Sequence, residues 1–211
     1  MGWGGKRRGA GRKPAGERGG VAHAKRPRLA ARFPVLVTMR LRAGLASLRA
    51  DHTHELLQRI LAGSSAEFRV IEYSLQSNHV HALVEASDER ALTRGMTGLT
   101  VRLARGLNKL WRRAGAVFSD RFHARILKTP REVRNALIYV IQNARKHGSW
   151  RARRPDAYSS GPCFDGWRDT RKNPAESSAR ILARARTWLL SLGWRKHGLI
   201  DPLEFPRASP A

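Results

Sequence analysis

The chain carries a single cysteine, Cys163, in 211 residues. A lone thiol excludes an internal disulfide and any zinc site built on several thiolates, including the Cys-x-x-Cys arrangement of zinc deaminases. Acids are scarce too. Asp plus Glu total 16 against 41 Lys plus Arg, a formal net charge of +25. Such a surplus repels itself in a compact state unless anions are near, so a polyanion is the expected partner. Charge alone suits a ribosomal-type protein or a membrane-surface binder equally well. No apolar run approaches the ~20 residues of a bilayer span; Ile138 to Ile141 is a typical stretch. An integral membrane protein is therefore not expected. The start, Met-Gly-Trp-Gly-Gly-Lys-Arg-Arg, has charge but no apolar block behind it, which argues against a secretory signal. Cytoplasm and a nucleic-acid partner are the expectation. No Gly-x-Ser-x-Gly elbow and no Gly-rich phosphate loop ending in Lys-Ser or Lys-Thr is present, so neither a serine hydrolase nor a P-loop NTPase is supported.

What is present divides the chain into three parts. Residues 1–32 read as a basic flexible tail, with ten Lys and Arg against Glu17 alone, a surplus of nine, and too few large apolar residues to bury a core. Within it, Arg8-Gly-Ala-Gly-Arg-Lys-Pro14 suits an extended arm laid into a minor groove. Residues 33–150 alternate between two periods. Phe33–Leu41, Phe68–Leu75, His79–Ala86 and Arg121–Lys128 read as strands, rich in apolar and β-branched residues. Asp51 is expected to cap a helix through Leu61, Asp88 to start one reaching Arg112, and Thr129-Pro130 to open one ending near His147 at Gly148. Gly95, Gly98 and Gly106 offer places for a kink in the second helix. Gln76-Ser-Asn78 is a turn joining the second and third strands into a hairpin. The order is β-α-β-β-α-β-α, the split βαβ pattern of an α+β, ferredoxin-like fold. An antiparallel four-stranded sheet with helices on one face is expected. Residues 151–211 form a C-terminal extension, with a helix expected over Ala175–Leu190.

Chemistry concentrates in two places. In His79-Val80-His81 the two histidines sit two apart on a strand and so share a face, where both imidazoles can meet one divalent ion. Alone, such a pair also fits two ordinary hydrogen-bonded histidines. His52-Thr-His54 has the same spacing at a helix start, where side chains two apart diverge, so no shared ion is expected there. In the last core helix, Val133, Ala136, Leu137, Val140, Ile141 and Ala144 form the apolar stripe. Tyr139 lies off the stripe, with Asn143 four residues on and Gln142 and Lys146 on the same polar flank. Tyrosine offers a nucleophilic oxygen and asparagine a neutral oxygen ligand for a hard cation.

Asn78-His-Val-His81, Phe118-Ser-Asp-Arg-Phe-His123 and Tyr139-Val-Ile-Gln-Asn143 occur in that order. Together they resemble the single-tyrosine HUH transposases, and most of all the REP-associated tyrosine transposases of the IS200-like group. The resemblance covers Phe33 to Gly148. It implies metal-dependent cleavage of single-stranded, hairpin-shaped DNA and strand transfer. His79 and His81 would be metal ligands, Asn143 the third ligand, and Tyr139 the nucleophile that forms a 5′-phosphotyrosine link and frees a 3′-OH. The ion would be Mg²⁺ or Mn²⁺. Arg94, Arg102, Arg105, Lys109 and Arg112 on the second helix, Arg121 and Arg125 on the fourth strand, and Lys146 are the expected DNA contacts, with Trp111 able to stack on a base or fill the core. The resemblance also implies a cytoplasmic, nucleoid-associated prokaryotic protein that acts as a monomer or homodimer. Two other readings fit the same fold: a nucleic-acid-binding protein without catalysis, and an HUH replication initiator or relaxase.

Overall fold

A computed structural model describes residues 28–152, 154–168 and 181–206. The Arg8–Pro14 arm and most of the basic tail lie outside this range. Four strands form one antiparallel sheet: β1 (Val35–Arg40), β2 (Phe68–Leu75), β3 (His79–Ala86) and β4 (His123–Ile126). Their order across the sheet is β2-β3-β1-β4, so both β2 and β4 return to flank a central antiparallel pair, as the split βαβ pattern requires.

Three helices connect and follow them: α1 (Asp51–Leu61), α2 (Glu89–Leu110) and α3 (Pro130–Ile141). Asp88 caps α2 through its side chain, which accepts from the Ala91 amide at 2.7 Å. Asp51 does not cap α1. Ala50 holds that position without a side-chain bond, and Asp51 accepts instead from the Tyr158 hydroxyl at 2.7 Å. α2 runs without a break, and its glycines serve close approach rather than bending. A Cβ on Gly95 would fall 2.2 Å from Cγ of Phe68. Trp111 is half-buried against the core at the end of α2.

The helices cover both faces of the sheet, not one. Val35, Val37 and Met39 of β1, with Val80, Ala82 and Val84 of β3, pack against Leu57 and Leu61 of α1 and the Met96, Leu99, Leu103 stripe of α2. The opposite parity, Leu36 and Leu83, packs against α3. Both parities of these strands carry apolar side chains, so both faces need cover. β2 contributes to both by a bulge: the register slips between Val70 and Glu72, and Ile71 turns to the α3 side while Val70 and Tyr73 stay on the other.

The C-terminal residues complete the core beneath α3. Phe164, Trp167, Leu189, Leu190, Trp194 and Ile200 are buried there with Val133, Leu137 and Val140. The helix expected over Ala175–Leu190 is not formed across residues 181–187; its earlier part lies outside the described residues. A single turn, α5 (Trp188–Ser191), follows Thr187. Glu85 at the end of β3 fastens it, accepting from the Thr187 amide and hydroxyl, both at 2.8 Å, and from Arg69 at 2.7 Å.

Candidate active site

β3 pairs with β1, so His81 stands opposite Thr38 and His79 opposite Arg40. β1 also pairs with β4, which sets Thr38 opposite His123 and Leu36 opposite Arg125. Cross-strand partners share a face. His79, His81, Thr38, His123 and Arg125 therefore all lie on the face that α3 covers, and Val80 lies in the core on the other.

α3 is begun by a capping box. The Thr129 hydroxyl accepts from the Glu132 amide at 3.2 Å, and Glu132 accepts from the Thr129 amide at 3.0 Å, with Pro130 in the first turn. The buried stripe of α3 then fixes its rotation and leaves Tyr139 on the edge, above the sheet. Its ring meets His81 edge-on at 4.8 Å between centroids. The Tyr139 hydroxyl is 3.3 Å from His81 Nε2. The His79 and His81 rings stand 4.6 Å apart.

Neighbours fix each imidazole. Asn78 Oδ1 can only accept, so at 2.8 Å it places the His79 proton on Nδ1 and leaves Nε2 with a lone pair. Thr38 Oγ1 is 2.8 Å from His81 Nδ1, the corresponding support for the second ring. Burial, then the neighbouring His147 and Arg40, push the His79 pKa down to about 4. Burial, then His79, His147 and Lys146, push His81 down to about 3. Both rings are neutral at neutral pH, the form in which imidazole binds a metal ion.

These groups line a cavity of about 600 Å³ whose wall also includes Arg40, Arg49, Lys146, His147 and Ser149. No carboxylate lines it among the described residues. Arg49 is held by Asp156 through two bonds at 2.7 and 2.9 Å, so a residue of the C-terminal part braces one wall. The Lys146 ammonium sits 5.1 Å from the centroid of the Tyr139 ring. A basic, carboxylate-free cavity around a phenol suits a phosphodiester.

Asn143 does not follow Tyr139 on one continuous helix. α3 stops at Ile141, Gln142 breaks the pattern, and a separate turn, α4 (Asn143–Lys146), begins. Gln142 leaves the polar flank and is buried, donating to the carbonyls of Asp201 at 3.3 Å and Pro202 at 2.6 Å. Asn143 has 0% exposure, and its amide oxygen and nitrogen have no hydrogen-bond partner. An orphaned buried amide oxygen is costly and fits a group meant for a cation. Among the described residues no group of three or more His, Cys, Asp or Glu could hold a metal ion; His79 and His81 line the cavity, and Asn143, the expected third ligand, is not among the residues that line it.

The remaining expected DNA contacts separate. Lys146 lines the cavity. Arg125 lies on the same sheet face, 3.3 Å from Glu132, and Arg121 is exposed just before β4. Arg94, Arg102, Arg105, Lys109 and Arg112 are exposed on α2 or just after it, across the sheet from the cavity, and Arg94 pairs with Glu67 at 2.7 Å. The sequence reading missed Thr38, Arg40, Arg49 and His147. Of these only His147 carried a signal, as the expected end of the tyrosine helix; the others depend on strand pairing and loop docking.

Among the described residues no helix is long and apolar enough to cross a membrane. No curated protein sequence matches the chain. A solved REP-associated tyrosine transposase, bound in its structure to a REP hairpin, aligns over 79% of this chain and 93% of its own, with a TM-score of 0.51 and 13% identity. At that identity the likeness establishes the fold. Residues 34–143, just over half of the chain, match the family described as "Transposase IS200 like", with the histidine pair and the tyrosine helix both inside the match; the chain belongs to this transposase family.

Proposed function

We propose that the protein cleaves single-stranded DNA next to a hairpin and transfers the strand, with Tyr139 as nucleophile. The observation that carries this reading is the meeting of Tyr139 with His81, 3.3 Å apart, in a basic cavity that also holds His79. The phenolic oxygen attacks phosphorus, the 3′-oxygen leaves, and a 5′-phosphotyrosine link remains. Because that link keeps the phosphodiester energy, a 3′-OH can attack back and rejoin strands.

His79, His81 and Asn143 would hold a divalent ion, Mg²⁺ or Mn²⁺. When bound, the ion polarises the scissile phosphate and offsets charge in the transition state. The chain's own groups have separate tasks. Asn78 and Thr38 orient the imidazoles, and Arg40 and Lys146 draw the phosphate into the cavity and favour negative charge there. Arg121 and Arg125 receive backbone phosphates near the cut. Arg94, Arg102, Arg105, Lys109 and Arg112, on the far side of the sheet, hold more distant phosphates. The protein that carries this site is a cytoplasmic, nucleoid-associated one of 1–32 tail, 33–150 catalytic domain and 151–211 extension.

Labelled hairpins drawn from DNA flanking the gene, mixed with protein and Mn²⁺ on a denaturing gel, test the reading. The expected result is a covalent protein–DNA band, absent with chelator. Tyr139→Phe should abolish the band while leaving binding on a native gel within about twofold. A band that survives Tyr139→Phe would move the nucleophile to Tyr73 or Tyr158. Tight binding with no band from any hairpin would favour a binding protein without catalysis.

A further inference from the structure

A second cavity, about 700 Å³, opens on the other side of Tyr139. It shares only that residue with the histidine cavity. Tyr139 thus borders both spaces, and the second is within reach of a nucleotide next to a phosphate that meets the tyrosine in the first. The second cavity is built differently. Its floor is apolar, from Leu36, Leu127 and Ile138. At its rim stands Phe205, 62% exposed, an aromatic ring on the surface of a folded segment.

The charges around this cavity point the same way. Two carboxylates line it, and both are already engaged. Glu204 is bonded by Arg134 at 2.7 and 2.8 Å, and Glu132 serves the capping box and Arg125. Arg131 and His197 line the same cavity and are exposed. An apolar floor, an exposed ring and surplus positive charge together match an unpaired nucleotide: the base faces the ring and floor, and the phosphates face the guanidinium groups. A duplex would not fit this chemistry, since its base faces are already stacked on one another. The volume is in the range of small-molecule sites.

We infer that this cavity is a subsite for an unpaired nucleotide flanking the scissile phosphate, with its base stacked on Phe205 and its backbone held by Arg131. The inference rests on the reading of Tyr139 as nucleophile for its place in the reaction. It gives the C-terminal extension a part in substrate binding, because His197, Glu204 and Phe205 all belong to it.

The test uses the full-length protein and a dT12 oligonucleotide in which bromodeoxyuridine replaces some thymidines. After ultraviolet crosslinking, the attached peptide is mapped by mass spectrometry. Crosslinking at the peptide containing Phe205 is expected, and its loss in Phe205→Ala. Affinity for dT12, measured at enough salt to suppress diffuse contacts, should fall roughly 5- to 150-fold in Phe205→Ala, the range for loss of one base–aromatic stack. Arg131→Ala, also at an exposed position, should weaken dT12 binding further, and a blunt duplex of the same length should bind all variants alike. Crosslinks that avoid the Phe205 peptide, or unchanged dT12 affinity in Phe205→Ala, overturn the subsite. The denaturing-gel assay of the same protein variants with the gene-flanking hairpins and Mn²⁺ separates the two readings, because dT12 offers no hairpin beside which to cut. Crosslinking at Phe205 without any covalent adduct supports the subsite and defeats the nucleophile; an adduct without that crosslink does the reverse.

Discussion

A proton on His81 is more costly inside this protein than in water. The ring is 4% exposed, and its neighbours His79, His147 and Lys146 are themselves basic, so its pKa falls from 6.5 to about 3. The linkage has one sign. Between those two values the unfolded chain binds the proton and the folded chain does not. Stability is therefore unaffected by this group above pH 6.5 and declines as pH drops from there toward 3. If the whole shift is realised, the loss is on the order of 5 kcal/mol. His79, shifted to about 4, pulls in the same direction. Thermal unfolding of chelated protein from pH 7 to pH 4 should show this decline, and His81→Gln, which cannot take the proton, should flatten it. Carboxylates elsewhere also titrate in this range, so the difference between the two proteins is the quantity to read. Parallel curves for wild type and His81→Gln would mean that the ring escapes its burial on protonation.

Tyr139, the proposed nucleophile, is only as well placed as the helix that carries it, and α3 is clamped at both ends by the C-terminal residues. Near its start Arg134, 12% exposed at the side chain, grips Glu204 through two bonds and donates to the Gly198 and Leu199 carbonyls at 3.0 and 3.2 Å. After its end Gln142 holds the Asp201 and Pro202 carbonyls. Arg134→Ala strips partners from one carboxylate and two carbonyls and should cost about 2 kcal/mol in urea unfolding. A double-mutant cycle with Glu204→Ala should return a coupling of about 1 kcal/mol or more; simple additivity would show that the pair does not brace the helix. None of this clamp was legible in the sequence. Strands and helices with sustained period were: α1, β2 and β3 have the bounds expected from Leu56-Leu57…Ile60-Leu61, Phe68–Leu75 and His79–Ala86. The strand period placed His79 and His81 on one face and the helix period placed Tyr139 off the apolar stripe; that the three belong to one site was implied by the family resemblance. The sequence misled where structure depends on partners. Thr38 joins the site through strand pairing, the break at Gln142 follows from its bonds to Asp201 and Pro202, and the C-terminal core consists of single aromatics, Phe164, Trp167 and Trp194, with no repeating pattern to read. Helices on both faces were foreshadowed by apolar residues at both strand parities, Val35 with Leu36 and Val84 with Leu83.

At the scale of the whole molecule, the proposed function separates two roles for charge: how DNA arrives and where it would be cut. The net charge is +25, and residues 1–32 hold a surplus of nine. The cavity around Tyr139 draws its own basic groups from later in the chain, Arg40, Arg49 and Lys146. Tail and site can therefore be separated by salt. Each phosphate neutralised on a single strand adds about 0.7 to the slope of log affinity against log salt. Deleting residues 1–27, which leaves the buried core residue Leu29 in place, should make that slope shallower for any single-stranded DNA, by several such increments if most tail charges reach phosphates. At low salt and saturating DNA the rate of covalent adduct formation should remain within about twofold of the full chain, since no cavity residue is removed. Anisotropy titrations from low to high salt and a denaturing-gel time course give both quantities. An unchanged slope would mean that tail cations do not contact the DNA and that the folded part, including the exposed arginines of α2, supplies the electrostatic attraction alone. A slope that falls together with the saturated rate would mean that the tail also orders the strand at Tyr139.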